Sequence, residues 1–304
     1  MKIAAVTVTC NDDHNVNQCV SFYEQYKSAL SMHIIVDNGS DRAFVGRLEQ
    51  LFPTSVIIKR TENRGTTAAY NDGIRHALTS GLADSIMLIS SDVKITAKDI
   101  GTLHELLFSD GRYGIVAPIL LRRDSCEIEL YGAGITKDLR MDKENVGEVV
   151  TASLPLSKEV AAVPGGISLA KCEYYQQVGL QDERLFMYSD EVDMGIRMAR
   201  AGLKAVVTRN AVAWHQHILR KNATWRGGYT EFLMRRNRIY LAYKHFGCLR
   251  GLYVFLRQII RAPRVGVSFY RNGASGHLAY YVLGCMCGLF RIHRMPAMIL
   301  EGRT

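Results

Sequence analysis

The sequence predicts an α/β protein, a mostly parallel sheet flanked by helices, carrying a basic helical appendage at its C-terminal end. Three observations predict it. Short, nearly unbroken apolar runs alternate with helix-period stretches through the first 120 residues, as strands buried on both faces of a parallel sheet do. Polar residues close those runs, at Thr9-Cys10-Asn11, Asp37-Asn38 and Ser91-Asp92. Open sheets of this class bind ligands beyond the C-terminal ends of their strands. The charge is also divided: residues 1–214 hold 23 basic and 27 acidic side chains, whereas 215–304 hold 15 and 2.

The elements follow in order. Ile3 to Val8 reads as a buried strand, Asn17 to Leu30 as a helix, and Met32 to Val36 as a strand ending at Asp37-Asn38-Gly39-Ser40. Phe44 to Leu51 is a short helix and Ser55 to Lys59 a strand. Thr66 to Ser80 is a helix, Ser85 to Ile89 a strand, Lys98 to Leu107 a helix and Gly114 to Pro118 a strand. From Leu120 to Ala162 the pattern loosens into antiparallel strands and loops beside the site. Val163 to Ile167 returns as a buried strand, with a close backbone approach at its glycines. Cys172 to Val178 and Asp193 to Ala201 are helices, the second stopped by Gly202, and Lys204 to Thr208 is a short strand.

After Trp214 the character changes. Gly228 to Phe246 reads as one long helix carrying Arg235, Arg236 and Arg238. Leu249 to Ile260 is amphipathic with Arg250, Arg257 and Arg261 along it, and His277 to Phe290 is almost wholly apolar. Fourteen residues fall short of the roughly 20 that span a bilayer. Basic, aromatic-rich amphipathic segments suit a chain lying on an anionic membrane surface. The division expected is therefore a catalytic-type body over 1–225 and a membrane-associating region over 226–304.

Hydrophobic content of 48% and charged content of 22% are those of a folded protein. The opening apolar run is too short for a secretory signal. Seven scattered cysteines without Cys-x-x-Cys pairs argue against a disulfide framework or zinc site and for a reducing compartment.

The richest stretch is Phe186-Met187-Tyr188-Ser189-Asp190-Glu191-Val192-Asp193. Three carboxylates in four residues repel one another, and a helix N-terminus offsets part of that cost. A carboxylate held there at a cleft edge can accept a proton from a substrate hydroxyl. An acidic first turn of an ordinary surface helix is the plain alternative.

Five ordered motifs resemble the family 2 glycosyltransferases of the GT-A fold, most of all the bacterial rhamnosyltransferase-like members that build O-antigens and capsules. They are Val6-Thr7-Val8-Thr9-Cys10-Asn11, then Val36-Asp37-Asn38-Gly39-Ser40, then Glu62-Asn63-Arg64-Gly65 with Tyr70-Asn71-Asp72-Gly73, then Ser90-Ser91-Asp92. The fifth runs from Pro164-Gly165-Gly166 to Asp190-Glu191-Val192-Asp193. Trp214-His215-Gln216-His217 and Arg235-Arg236-Asn237-Arg238 trail them.

The resemblance implies a nucleotide-diphosphate sugar donor, dTDP-rhamnose or a UDP-hexose. It would be held by Thr9, Asn11, Asp37, Asn38, Arg64, Gly65, Asn71, Ser91, Gly166 and Arg238. It implies Mg²⁺ or Mn²⁺ at Asp92 and His215. The base would be Glu191, which aligns with the family's catalytic Asp, or its neighbour Asp190, with Asp193 orienting the base or capping the helix. The acceptor implied is a lipid-linked glycan at the cytoplasmic membrane face, in an inverting transfer. A second reading is a non-catalytic sugar-nucleotide-binding or scaffold protein on the same fold. Nucleic acid is not expected as a partner, because the basic tail interleaves its arginines with apolar and aromatic residues. The oligomeric state is left open.

Overall fold

The computed structural model describes residues 1–216 and 224–294, with side chains after the gap from 227 onward. His217 lies outside the described residues. Contacts divide the chain into two units. The first holds residues 1–135, 141–183 and 191–218; the second holds 136–140, 184–190 and 219–304.

In the first unit, strand β1 (Ile3–Thr9) leads to helix α1 (Val16–Tyr26), β2 (Met32–Asp37) and α2 (Arg42–Leu51). There follow β3 (Val56–Lys59), α3 (Thr66–Ser80), β4 (Ser85–Ile89), the two-residue β5 (Val93–Lys94) and α4 (Ala97–Ser109). Next come β6 (Tyr113–Arg122), β7 (Ile128–Leu130), β8 (Ala133–Ile135), β9 (Met141–Lys143) and β10 (Ser157–Val160). Then β11 (Ile167–Lys171), α5 (Cys172–Val178), α6 (Asp190–Arg200) and β12 (Lys204–His215) complete it.

The main sheet runs β10-β12-β6-β11-β4-β1-β2-β3. Strands β4, β1, β2 and β3 are mutually parallel, and β6 is parallel to β12. Strand β11 lies between the two sets, antiparallel to both β4 and β6. This is the mostly parallel, helix-flanked sheet that the apolar runs predict. Alternation along β1 feeds both faces: Ala4 and Val6 enter one core, Ile3 and Ala5 the other, so the body of the strand is buried on both sides.

Four local expectations need correction. The strand expected at Val163 to Ile167 starts at Ile167 and runs to Lys171, because Pro164 and two glycines form its approach rather than its body. Helix α6 starts at Asp190, three residues before the expected Asp193. Strand β12 extends to His215, with a register shift between Thr208 and Val212. Strand β6 likewise extends to Arg122.

The second unit is built from α7 (Thr224–Arg271) and α8 (His277–Leu289). Gly247, at φ 83° and ψ −178°, breaks α7 into two helical stretches. The expected separate helices over 228–246 and 249–260 are these two stretches, the second reaching Arg271. Gly284 and Gly288 let α8 approach α7 closely. A Cβ at Gly284 would lie 3.0 Å from Phe232 Cα, and one at Gly288 would lie 3.2 Å from Arg236 Cα. The apolar sequence of α8 is thus explained by packing. Among the described residues no helix is long and apolar enough to cross a membrane.

Candidate active site

The strand ends of the first unit are locked to one another before any ligand is considered. The Asn38 N–H donates to the Thr9 carbonyl (2.9 Å), joining the ends of β1 and β2. The Asn38 side chain donates to Asn63 Oδ1 (3.1 Å) and the Gly65 carbonyl (3.2 Å). Gly39, at φ 83°, would put a Cβ 2.7 Å from the Asn63 nitrogen, so only glycine permits this approach. Asn11 adopts φ 45°; its N–H donates to Ser40 Oγ (2.8 Å) and its Oδ1 accepts from the Asp41 N–H (3.0 Å). Arg64, by contrast, is largely exposed, with Glu62 and Glu183 oxygens each 3.9 Å away.

Asp37 closes β2 with its carboxylate almost wholly buried. Oδ2 accepts from the Ser40 N–H (3.2 Å), and Oδ1 has no hydrogen-bond partner among the described residues. A buried carboxylate oxygen without a donor is costly and calls for a donor from outside the chain or a local shift. The imide N–H of a pyrimidine is one such donor.

A second group of side chains meets around Gly165 and Gly166. The Ser90 N–H donates to the Gly166 carbonyl (2.9 Å), tying the end of β4 to the start of β11. A Cβ at Gly165 would overlap the Glu191 carboxylate, and one at Gly166 would lie 3.9 Å from His215 Cε1. His215 Nε2 is 3.3 Å from Asp92 Oδ2, and its Nδ1 is 3.0 Å from Glu129 Oε1. Burial opposes protonation of His215, but hydrogen bonds to Asp92 and Glu129 outweigh it and push its pKa up to about 9. Ser91 Oγ donates to Asp12 Oδ2 (3.0 Å) beside them. Asp92, His215 and Glu129 are therefore brought together beside Gly166, from the β4 loop, β12 and β7, with Ser91 next in the chain to Asp92, and Glu191 of α6 lies against the neighbouring Gly165.

The metal question turns on Asp92 and His215. Among the described residues no group of three or more His, Cys, Asp or Glu side chains forms a ready metal cage. The Asp92–His215 pair offers one oxygen and one nitrogen donor facing each other. Mg²⁺ and Mn²⁺ sites of this kind use few protein ligands and complete their shells with water and substrate phosphate. The pair would fit such an ion once His215 gives up its Nε2 proton, and the ion would then replace the positive charge beside Asp92.

Two of the expected site residues are turned inward. Asn71 exchanges hydrogen bonds with Gln181, accepting from its N–H (2.9 Å) and donating to its carbonyl (2.9 Å), and also donates to Glu183 Oε1 (3.0 Å). That fixes α3 to the 181–183 turn and leaves the amide facing protein. Asp193 is 0% exposed. Its Oδ2 receives Arg197 Nε (3.0 Å) and Nη2 (2.8 Å), and Arg197 also donates to the Leu180 carbonyl (2.8 Å). Asp193 anchors α6 from within its first turn.

In the second unit, Phe186, Tyr188 and Ser189 all have positive φ, at 67°, 67° and 64°, a conformation that costs each non-glycine residue on the order of 1–3 kcal/mol. Asn237, fully buried on α7, donates to the carbonyls of Leu185 (3.1 Å), Met187 (2.9 Å) and Tyr188 (2.9 Å). Arg236, also fully buried, donates to the carbonyls of Arg184 (3.1 Å), Leu185 (2.7 Å) and His293 (3.0 Å). These two residues clamp the segment that ends at Asp190, the first residue of α6. Arg238 is buried on the same helix; burial, then repulsion from Arg235, push its pKa down to about 10.

Sequence reasoning missed Glu129, Asp12 and the clamp. Glu129 sits 86 positions from His215, on a three-residue strand with no motif around it. The resemblance does mark the run Arg235-Arg236-Asn237-Arg238, but assigns a role there to Arg238 alone.

Gly165→Ala is expected to displace the Glu191 carboxylate and lower turnover about 10²-fold, while thermal unfolding stays near that of the unmodified chain. Donor-turnover assays and a melting curve check both halves.

Residues 4–145, just under half of the chain, match the family model described as glycosyl transferase family 2. The low-salt glycan biosynthesis hexosyltransferase Agl10 of Haloferax volcanii is 22% identical over 222 residues, 69% of this chain and 67% of the relative. A structure of the mannosyltransferase PcManGT from Pyrobaculum calidifontis, in complex with GDP-Man and Mn²⁺, superposes with a TM-score of 0.57 at 12% identity. That match covers 95% of this chain and 87% of the neighbour. A crystal structure of GalNAc-T7 with UDP, GalNAc and Mn²⁺ gives 0.58 at 11% identity, over 79% of this chain but only 51% of the neighbour, so the chain spans about half its length. The fold is GT-A, and the matched segment together with the hexosyltransferase relative supports a family 2 glycosyltransferase.

Proposed function

We propose that the chain is an inverting glycosyltransferase that moves a sugar from a nucleotide-diphosphate donor to a hydroxyl of a lipid-linked glycan. The observation that carries this reading is the placement of Glu191 against Gly165 and of the Asp92–His215 pair by the adjoining Gly166. One carboxylate is available to accept a proton, and a second group of charges is available to receive an anionic leaving group.

The donor's base and ribose lie at the ends of β1 and β2, where Asp37 Oδ1 accepts an N–H of the base and the Thr9–Asn11 turn borders the ribose. Arg64 and the glycine-led start of α3 at Gly65 favour phosphate. Asp92 and His215 would hold Mg²⁺ or Mn²⁺, which would supply Lewis-acid stabilisation of the departing diphosphate. Ser91 lies at the same strand end, and the Gly165-Gly166 backbone leaves room for the sugar. Glu191 takes the acceptor hydroxyl's proton as that oxygen attacks the anomeric carbon from the face opposite the diphosphate. One displacement inverts the anomeric centre without a covalent enzyme intermediate.

A panel of UDP-, dTDP- and GDP-sugars with Mg²⁺ or Mn²⁺ tests the reading through slow donor hydrolysis, which needs no acceptor. One donor is expected to turn over, with inverted product configuration by NMR. Donor binding without turnover, with lipid-linked acceptors also supplied, would favour the sugar-nucleotide-binding reading instead.

A further inference from the structure

The second stretch of α7 carries a row of large apolar side chains that faces solvent. Leu249, Leu252, Leu256, Ile260, Val267 and Tyr270 are all exposed, Leu249 at 87% and Ile260 and Tyr270 at 78% each. Their spacing of three, four or seven residues places them on one stripe of the helix. The opposite face is already used: Val254 and Gln258 are buried, and Tyr281 of α8 donates its hydroxyl to the Gln258 carbonyl (2.8 Å). Packing within the unit therefore leaves this stripe uncovered.

Arginines border the stripe on one side. Arg257, Arg261 and Arg271 are exposed, each one residue beyond a stripe position, and Arg264, also exposed, lies one turn beyond Ile260 on the same side. Arg261 and Arg257 approach one carboxylate, Asp138 Oδ2, at 3.1 and 3.8 Å. That single acid offsets one of their two charges. Between Glu231 and Glu301 the sequence holds no Asp or Glu at all, so nothing else on α7 beyond Glu231 or on α8 balances the row.

We propose that the 249–271 face of α7 lies in the plane of an anionic lipid surface, its apolar stripe entering the acyl boundary and its arginines meeting lipid phosphates. An exposed apolar stripe bordered by arginines is the pattern of an in-plane interfacial helix, and each basic residue near an anionic leaflet adds attraction. A second copy of the chain is the poorer occupant, because an antiparallel two-fold contact would bring two rows of net positive charge together. The α8 helix spends its glycine face on α7 and exposes only Val282 and Met286 among its large apolar side chains, each less than half exposed. The inference narrows the membrane association expected from sequence to one helix face and stands apart from the transferase reading, since vesicle binding involves no chemistry.

The full chain is sedimented with vesicles of phosphatidylcholine alone and of phosphatidylcholine with one-third phosphatidylglycerol, beside Leu249→Ser/Ile260→Ser/Val267→Ser and Arg264→Glu/Arg271→Glu variants. The unmodified chain is expected on the anionic vesicles and not the neutral ones, with binding weakened about tenfold or more in each variant. Donor hydrolysis and far-UV circular dichroism should be unchanged, which separates loss of docking from loss of fold. Equal binding by the variants, no preference for anionic vesicles, or a lipid-free dimer by light scattering that the serine variant dissolves would overturn it.

Discussion

Glu191→Gln is expected to reduce turnover by about 10²–10⁴-fold, the usual contribution of a positioned general base. The amide keeps the size and shape of the carboxylate at Gly165, so the fold and the donor's KM should hold while kcat falls. Removing a group that acts only in the transition state has that kinetic signature. The pH–rate profile should also lose its acidic limb, because that limb reports protonation of the base. Asp190→Asn separates the two neighbouring acids. Retention of most activity there, beside its loss in Glu191→Gln, places the proton transfer on Glu191; the reverse result moves it to Asp190. Full activity in both variants would remove the acidic cluster from the chemistry.

Asn237→Ala is expected to destabilise the chain by about 2 kcal/mol, since it removes an amide whose two N–H groups serve three carbonyls, at about 1 kcal/mol per hydrogen bond, with relaxation of the positive-φ segment offsetting part of the loss. The three carbonyls belong to Leu185, Met187 and Tyr188, in the segment with positive φ at Phe186, Tyr188 and Ser189. Asn237→Asp should be at least as damaging, because a carboxylate would face three carbonyl oxygens with nothing to donate. Chemical denaturation of both variants gives the measurement. The ranking matters more than the size: a mere packing residue would tolerate aspartate better than it tolerates a cavity. Arg236→Lys is a useful companion, as an ammonium cannot reproduce a planar fork that reaches Arg184, Leu185 and His293 together.

Much of this molecule was legible from the chain because its signals are local. Apolar runs such as Ile3–Thr9 and Ser85–Ile89 announce buried strands, and Thr66–Ser80 falls on the predicted boundaries. The strand-end polar residues were legible for the same reason: a parallel sheet leaves its ligand-facing positions just past each apolar run. What stayed hidden depends on distant partners. Nothing near Glu129 indicates that it faces His215, and nothing near Asn71 indicates that Gln181 and Glu183 consume its amide. Motif order marked Asp193 for the site, yet only the three-dimensional arrangement shows Arg197 claiming it. The same holds for the start of β11, where proline and two glycines looked like strand and proved to be the turn that admits Glu191.

The antiparallel placement of β11 also sets the order in which the sheet can be assembled. Strands β1 to β4 can pair as soon as they are made, but β4 has β11 as its other neighbour, and their paired residues lie about 80 positions apart. At ribosomal rates of about 5–20 residues per second, the outer edge of β4 would wait roughly 4–16 s for its partner. Throughout that interval the nascent chain carries an open, apolar strand edge of the kind that recruits other chains. The late strand therefore acts as a seal on the early half of the protein, and a chain stopped before Ile167 would be left with that edge bare.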